Sequence, residues 1–233
     1  MKKTIGILVA LGVAAVIAFF VFSNPLGRLV KLAIESFGPD MLQAEIRVGN
    51  VKISASDGQG KLSSLDVGNP KGFKTDYAFK ADTIEIVIEP TSITGNVIVL
   101  HKVLIVAPHI IYEKGDGGSN FDAIQRNVES YLGSGDKKGK DDKSEKKKII
   151  IDSFIIRKAK INYNGKLDLS LPDIELHNIG KQSSGTSPAQ VIKSIIAELN
   201  GKIIPAIANT AVIDKAGDMA LDAGKSVKNL LGK

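Results

Sequence analysis

The chain predicts a mainly β fold with helices at both ends, and three observations carry that reading. Residues 5–22 are uncharged and almost entirely apolar, and Lys2 and Lys3 precede them. From Leu42 to Leu176, apolar side chains recur at alternate positions in short runs broken by Gly, Pro, Asn and Asp, the pattern of half-buried strands joined by turns. After Ser187 the apolar period lengthens to that of a helix. Short strands with brief turns favour an antiparallel sheet. With 233 residues the chain is long enough for a packed core.

The eighteen residues 5–22 come near the lower length for a helix crossing about 30 Å of hydrocarbon. A cleaved signal peptide is the rival reading. Its apolar region would be shorter, with small residues before the cut, whereas this run ends in Phe19, Phe20, Val21 and Phe22. We expect an uncleaved transmembrane anchor over residues 1–23. Lys2 and Lys3 favour a cytoplasmic N-terminus, which puts the bulk of the chain on the far side, although Arg28 and Lys31 pull the other way. There is no cysteine, which excludes disulfides, thiolate metal sites and a Cys nucleophile.

Residues 24–132 read as a first β region. Ser23, Asn24 and Pro25 start a helix, with Pro at its first position. Leu26, Leu29, Val30, Ala33 and Phe37 share helical spacing, and Gly38 with Pro39 is expected to end it. Ile46 and Val48 then alternate with charged residues. Gly49 and Asn50 shift the phase before Val51 and Ile53, which predicts a bulge or tight turn. Ile84, Ile86 and Ile88 share one strand face, and Val97 and Val99 follow Gly95 and Asn96. The extended run from His101 to Tyr112 is interrupted by Pro108; residues 115–118 turn, and residues 121–132 suit a helix.

Residues 133–148 form a linker, and seven lysines mix with three acids over residues 137–148. It reads either as a solvated spacer or as a contact with anionic lipid, each lysine near the surface then contributing about 1 kcal/mol. No aromatics interleave with the lysines, so nucleic acid is not an expected partner. Residues 149–180 form a second β segment, opening with a nearly unbroken apolar stretch over residues 149–156 and continuing through Ile161 and Leu169. Residues 181–233 are a helical tail. Ser187 and Pro188 open it in a capping pattern, Val191, Ile192, Ile195, Ile196 and Leu199 form its stripe, and Pro205 is expected to kink or end it.

The chemistry-bearing residues form no catalytic constellation. The histidines, His101, His109 and His177, have neither metal-ligand spacing nor the i, i+4 geometry of a zinc protease. No nucleophile elbow or phosphate loop is present. Asp116, Asn120 and Asp122 resemble a calcium loop, but Gly118, Phe121 and Asn127 stand where an EF-hand needs a ligand, a glycine and a glutamate. An enzyme, a cofactor and a metal are therefore not expected. The dense alternate Ile, Val and Leu must be covered on one sheet face. Two covers are available: the helix over residues 189–200, giving an ordinary core, or the acyl chains of lipid.

The order of motifs resembles the AsmA-like proteins of the Gram-negative envelope. These motifs are the N-terminal span, "LAIESFGPDMLQAEIRVGNVKIS", "GKLSSLDVGNPKGF", "FKADTIEIVIEPTSITGNVIVLHKVLIVAPHIIYEKGDGGSNFDAI" and "IIIDSFIIRKAKINYN". The resemblance covers residues 1–180. It implies an inner-membrane protein with its bulk in the periplasm, related to the chorein-type bridge proteins, whose curved, taco-like sheet holds phospholipid in an aliphatic groove. The groove candidates are Ile46, Val48, Val51, Ile53, Phe73, Ile84, Ile86, Ile88, Val97, Val99, Val103, Ile105, Ile161 and Leu169. In this reading Phe73, placed by the turn at Asn69 and Pro70, plugs the groove beside the membrane. Ten strands about 4.8 Å apart span only roughly 50 Å, so the implied partners are phospholipid or another acyl-chain lipid, the inner membrane, and either a homo-oligomer or an envelope protein. The rival function is a structural or assembly protein of the envelope with an ordinary core and no lipid cargo.

Overall fold

The computed structural model describes residues 25–138 and 147–231, with side chains over residues 26–134 and 147–209. The expected anchor, residues 1–23, and the middle of the expected linker, residues 139–146, lie outside the described residues. Among the described residues no helix is long and apolar enough to cross a membrane. Helix α1 (Pro25–Leu42) leads into β1 (Ile46–Ser54), β2 (Gln59–Val67), β3 (Phe79–Ile88), β4 (Val97–Val106) and β5 (His109–Tyr112). A short hairpin, β6 (Lys114–Gly115) and β7 (Gly118–Ser119), precedes α2 (Asn120–Lys138). Then come β8 (Lys148–Arg157), β9 (Lys160–Tyr163), β10 (Leu167–Ser170), β11 (Ile174–Ile179) and α3 (Pro188–Leu231).

Nine of these strands form one strongly curled, half-barrel sheet. It is mixed rather than antiparallel, because β4 pairs with β8, and β5 with β9, in parallel. Parallel neighbours need a long crossover, and α2 with the residues around it supplies one. Strand β8 lies inside the sheet between β4 and β11, and its residues 149–156 are apolar apart from Asp152 and Ser153.

The register shows why the sheet curls. Val51, Leu62, Ile84, Ile105, Ile156 and Ile174 stand side by side across β1, β2, β3, β4, β8 and β11, and all six are buried. Ile46, Val67, Phe79, Ile110, Ile161 and Leu169 form a second such rung across β1, β2, β3, β5, β9 and β10. Between the two rungs each strand segment slips its inward phase by one residue. The slip falls on Gly49, Ser64, Asp82, Ala107, Lys158 and Pro172, aligned in one line across the sheet. Ser64, Ala107 and Lys158 take positive φ angles of 56°, 52° and 54° there. At Gly49 a Cβ would stand 2.7 Å from the Ser63 carbonyl oxygen and 3.0 Å from Ser64 Cβ, so glycine is required by close approach. The phase shift expected at Gly49 and Asn50 is thus one end of a crease crossing the whole sheet. β4 and β5 are two halves of one creased strand, and so are β8 and β9; Ala107 N donates to Arg157 O and Lys160 N to Pro108 O across the break.

The three helices cover the concave face. Met41 and Leu42 of α1, Phe121, Ile124 and Val128 of α2, and Ala189, Val191, Ile196, Leu199 and Ile203 of α3 join the inward strand residues in one core. Helix α1 also protects the edge strand. Glu35 Oε1 accepts from Val48 N at 2.9 Å, and Lys31 Nζ donates to Gly49 O at 2.9 Å, so backbone groups that β2 does not use are satisfied. Helix α1 does not end at Gly38. That glycine is buried against Ile46, where a side chain would collide, so it serves close packing and not termination. Nor does Pro205 end the tail, and α3 runs through it to Leu231. The carbonyl that Pro205 leaves without a donor belongs to exposed Gly201, where water can reach it. The first part of the expected linker, residues 133–138, continues α2, and Lys148 opens β8.

Because Gly49 faces a backbone carbonyl that cannot swing aside, Gly49→Val should destabilise the protein by about 2–3 kcal/mol. Thermal unfolding measures this, and an unchanged melting temperature would show that the crease does not depend on the close approach.

Candidate functional site: the inner trough

The curled sheet makes a trough whose floor is the inward rungs. Of the residues expected to line a groove, Ile46, Val48, Val51, Ile84, Val103, Ile105 and Ile161 are buried in the core, and Ile53, Ile86 and Leu169 pack against it with partial exposure. Ile88 is buried at the far end, near Gly60, whose Cβ would lie 3.7 Å from Ile88 Cδ1.

Val97 and Val99 stand on the opposite face. A second phase slip explains this. Leu100 and Ile151 face the core, as do Val103 and Phe154, so the two residues between them in each strand absorb a bulge. The pairing of β3 with β4 shifts register at the same level, between Val87 and Ile88, and Asn178 of β11 takes a φ of 56° there. Alternation from Leu100 puts Ile98 inward and Val97 and Val99 outward. The inward residues that the motif reading left out, among them Leu62, Phe154, Ile156 and Ile174, lie in register with those it named.

The covering helices close the middle of the trough. At one end Ile53, Ile86, Leu100, Ile149, Leu176 and Ile179 remain partly exposed. This is the end at which α1 begins: Gly38 lies against Ile46 and Lys31 reaches Gly49, so α1 runs antiparallel to β1 and Pro25 points toward Ser54. The other end is stoppered by aromatic and polar groups. Tyr112 stacks with Phe121 at 6.0 Å and leans on Tyr163 at 6.2 Å. On the outer face of the same strands, a hollow of about 370 Å3 is lined by Tyr77, His109, Lys160, Asn162, Asp168 and neighbouring residues.

The turn at Asn69, Pro70, Lys71, Gly72 and Phe73 belongs to this stoppered end, because Val67, which precedes it, pairs with Ile46. Phe73 therefore sits away from the start of α1, whose 18 residues span roughly 27 Å. Its ring covers the β6–β7 hairpin: a Cβ at Gly115 would lie 3.3 Å from Phe73 Cε1. Two amides pin the turn, Asn120 buried and Asn69 half-buried. Asn120 Nδ2 donates to Asn69 Oδ1 at 2.7 Å and to Ile111 O at 2.8 Å, while its Oδ1 accepts from Glu113 N and Phe121 N, each at 3.0 Å. Asn69 Nδ2 in turn donates to Thr75 O at 2.7 Å. The Glu113 carboxylate accepts from Lys74 N, Thr75 N and the Thr75 hydroxyl. Burial pushes its pKa up, but these donors outweigh burial and hold it below the ordinary glutamate value. Ser119 and Asp122 cap α2 reciprocally, Ser119 N donating to Asp122 Oδ2 at 2.8 Å and Asp122 N to Ser119 Oγ at 3.0 Å. Of the residues that resemble a calcium loop, Asn120 is thus engaged in the turn and Asp122 in capping α2, while Asp116 is exposed. Among the described residues, no group of three His, Asp or Glu side chains is placed to hold a metal.

On the convex side, at the second slip, His101 Nδ1 lies 2.9 Å from Asp152 Oδ2 and Nε2 lies 3.3 Å from Glu89 Oε2, with Lys181 Nζ 3.5 Å from Asp152 Oδ1. Asp152 chiefly, and Glu89 next, raise the His101 pKa above its ordinary 6.5.

No protein-family model matches the chain, and neither does any curated protein or any solved structure.

Two outcomes follow from this geometry. Asn120→Ala leaves several buried groups unpaired and should cost about 3 kcal/mol, read as a drop in melting temperature. A change within experimental error would mean that the turn holds without its amide hub. The raised His101 pKa contributes stability that is fully present below the ordinary imidazole value and is lost as pH rises through the raised one. In Asp152→Asn the imidazole titration, followed by NMR, should move to lower pH; an unmoved titration would show that Asp152 does not set it.

Proposed function

We propose that the protein is a membrane-tethered, lipid-binding protein of the cell envelope, of AsmA-like type, with its bulk in the periplasm. In this reading it takes an acyl chain of a phospholipid at the open end of its trough and assists lipid transfer or envelope biogenesis without catalysis. The observation that carries this is a group of inward aliphatic side chains left partly covered at the end of the trough where α1 begins. Ile84, Ile105 and Ile156 are sealed under the helices, whereas Ile53, Ile86 and Leu100 are aliphatic and only partly covered. They lie at the end where the chain enters from its apolar N-terminal run, so an acyl chain leaving a bilayer would meet that floor first. A folded apolar face left partly open carries a hydrophobic cost that an acyl chain relieves at about 25 cal/mol per Å2.

The helices that seal the middle rungs favour a second reading, an assembly protein of the envelope whose inner face is simply its core. One pair of variants separates the two. Ile84 is buried, so Ile84→Asp should cost several kcal/mol and unfold the protein in either case. Ile86 is partly exposed, and Ile86→Asp should stay folded by circular dichroism while losing the phospholipid that native mass spectrometry finds on the parent protein extracted in mild detergent. A folded Ile86→Asp with unchanged lipid, or a parent protein that carries no lipid, would support the assembly reading.

A further inference from the structure

Helix α1 carries two apolar faces, and the core uses one. Val30, Ile34 and Met41 turn to the core, while Lys31 and Glu35 hold the backbone of β1. The opposite side leaves Leu29, Leu32 and Phe37 exposed at 62%, 60% and 62%. Helical spacing sets them together with exposed Ala33 and Ser36 in one stripe that carries no charge between Leu29 and Phe37. Arg28 flanks the stripe at its start, and Asp40 enters that side only in the last turn. Three large side chains at such exposure on one helix exceed the scattered surface apolars normal in a folded protein.

We propose that this outer face of α1 is a membrane-seating surface, lying along the bilayer at the boundary between head groups and acyl chains. The inference rests on the reading of residues 5–22 as a membrane anchor. Phe22 ends that run and Pro25 begins α1, so the connection can extend at most about 10 Å. The first turn of α1 is therefore held at the membrane surface, and the direction of its apolar stripe decides the rest. A helix with one apolar face and a basic flank lies in the interface plane with that face buried about 5–10 Å deep. Arg28 is placed to meet anionic head groups. With α1 lying down, the edge strand β1 runs beside the membrane along its length, whereas an upright α1 would keep only the open end of the trough there and lift the stoppered end a helix length away.

The absence of cysteine allows a direct test on the full chain. Single cysteines at Leu29, Leu32 and Phe37, and at exposed Lys102 on β4 as reference, are nitroxide-labelled. The protein is reconstituted into vesicles of phosphatidylcholine and phosphatidylglycerol, and collision with oxygen is compared with collision with a water-soluble nickel chelate. Labels at 29, 32 and 37 should show an oxygen-to-nickel ratio several-fold above that of the label at 102. Equal ratios in protein that floats with the vesicles would overturn the seating while leaving the anchor standing. Protein that does not float would overturn the anchor and the seating together. Spin–spin broadening at 29, 32 or 37 that survives dilution with excess lipid would show that a second copy covers this face, and would overturn the proposal.

Discussion

Everything in this fold depends on keeping an aliphatic floor facing one way through a bend. A flat strand needs only strict alternation. A strand that curls sharply and keeps its apolar side chains on the concave side must lose one position where it bends, or its far half would face solvent. Here six strand segments lose that position at the same level, from Gly49 to Pro172. Their means differ. Gly49 gives way because a neighbouring carbonyl occupies the space of its side chain, Ser64, Ala107 and Lys158 rotate into positive φ, and Pro108 and Pro172 interrupt the ladder. Each deviation alone costs stability. Aligned, they let two full rungs of aliphatic side chains meet under three helices.

The crease also explains which parts of the fold could be read from the sequence. Alternation in Ile84, Ile86 and Ile88 was plain, because that segment lies on one side of the crease. The shift at Gly49 was visible as a broken period. Elsewhere the same event was hidden. At Ser64 and Lys158 nothing in the residue type announces a left-handed backbone, and tertiary contacts impose it. Val97 and Val99 alternate with each other and follow a turn, which points them inward by local pattern alone; the second slip, near His101, lies beyond them and reverses their face. The parallel pairing of β8 was also legible in principle, since residues 149–156 are apolar almost without alternation. What could not be read was the network at Asn69, Asn120 and Glu113. Its members are far apart in the chain, and each is a residue type that turns and caps use freely.

Phe73 shows how a local motif can be right in form and different in place. Asn69, Pro70 and Gly72 do make the tight turn their types suggest, and Gly72 takes the positive φ of 101° that glycine allows. The turn is large because it must carry an aromatic ring across to the β6–β7 hairpin, where Gly115 leaves room for it. The ring thus closes a loop at the stoppered end of the trough. The same end holds the aromatic cluster of Tyr112, Phe121 and Tyr163 and the amide hub of Asn120 and Asn69. At the opposite end the polar network of His101, Asp152, Glu89 and Lys181 lies on the convex side, and the inward side chains are aliphatic.

Helix α1 joins the two halves of this argument. A sheet that curls but does not close into a barrel leaves an edge, and an exposed edge invites pairing with other strands. Glu35 and Lys31 answer that need by satisfying Val48 N and Gly49 O. A helix serving only as an edge cover would carry polar residues on its outer side, as α2 does with Arg126, Glu129 and Ser130. Helix α1 instead carries Leu29, Leu32 and Phe37 outward, directly after an uncharged apolar run. Hydrophobic burial is non-directional and scales with area, so the apolar area on both sides of α1 calls for apolar cover on both sides. The sheet supplies one cover. The other must come from outside the described fold, and under the proposal that residues 5–22 anchor the chain, the bilayer is the surface nearest to hand.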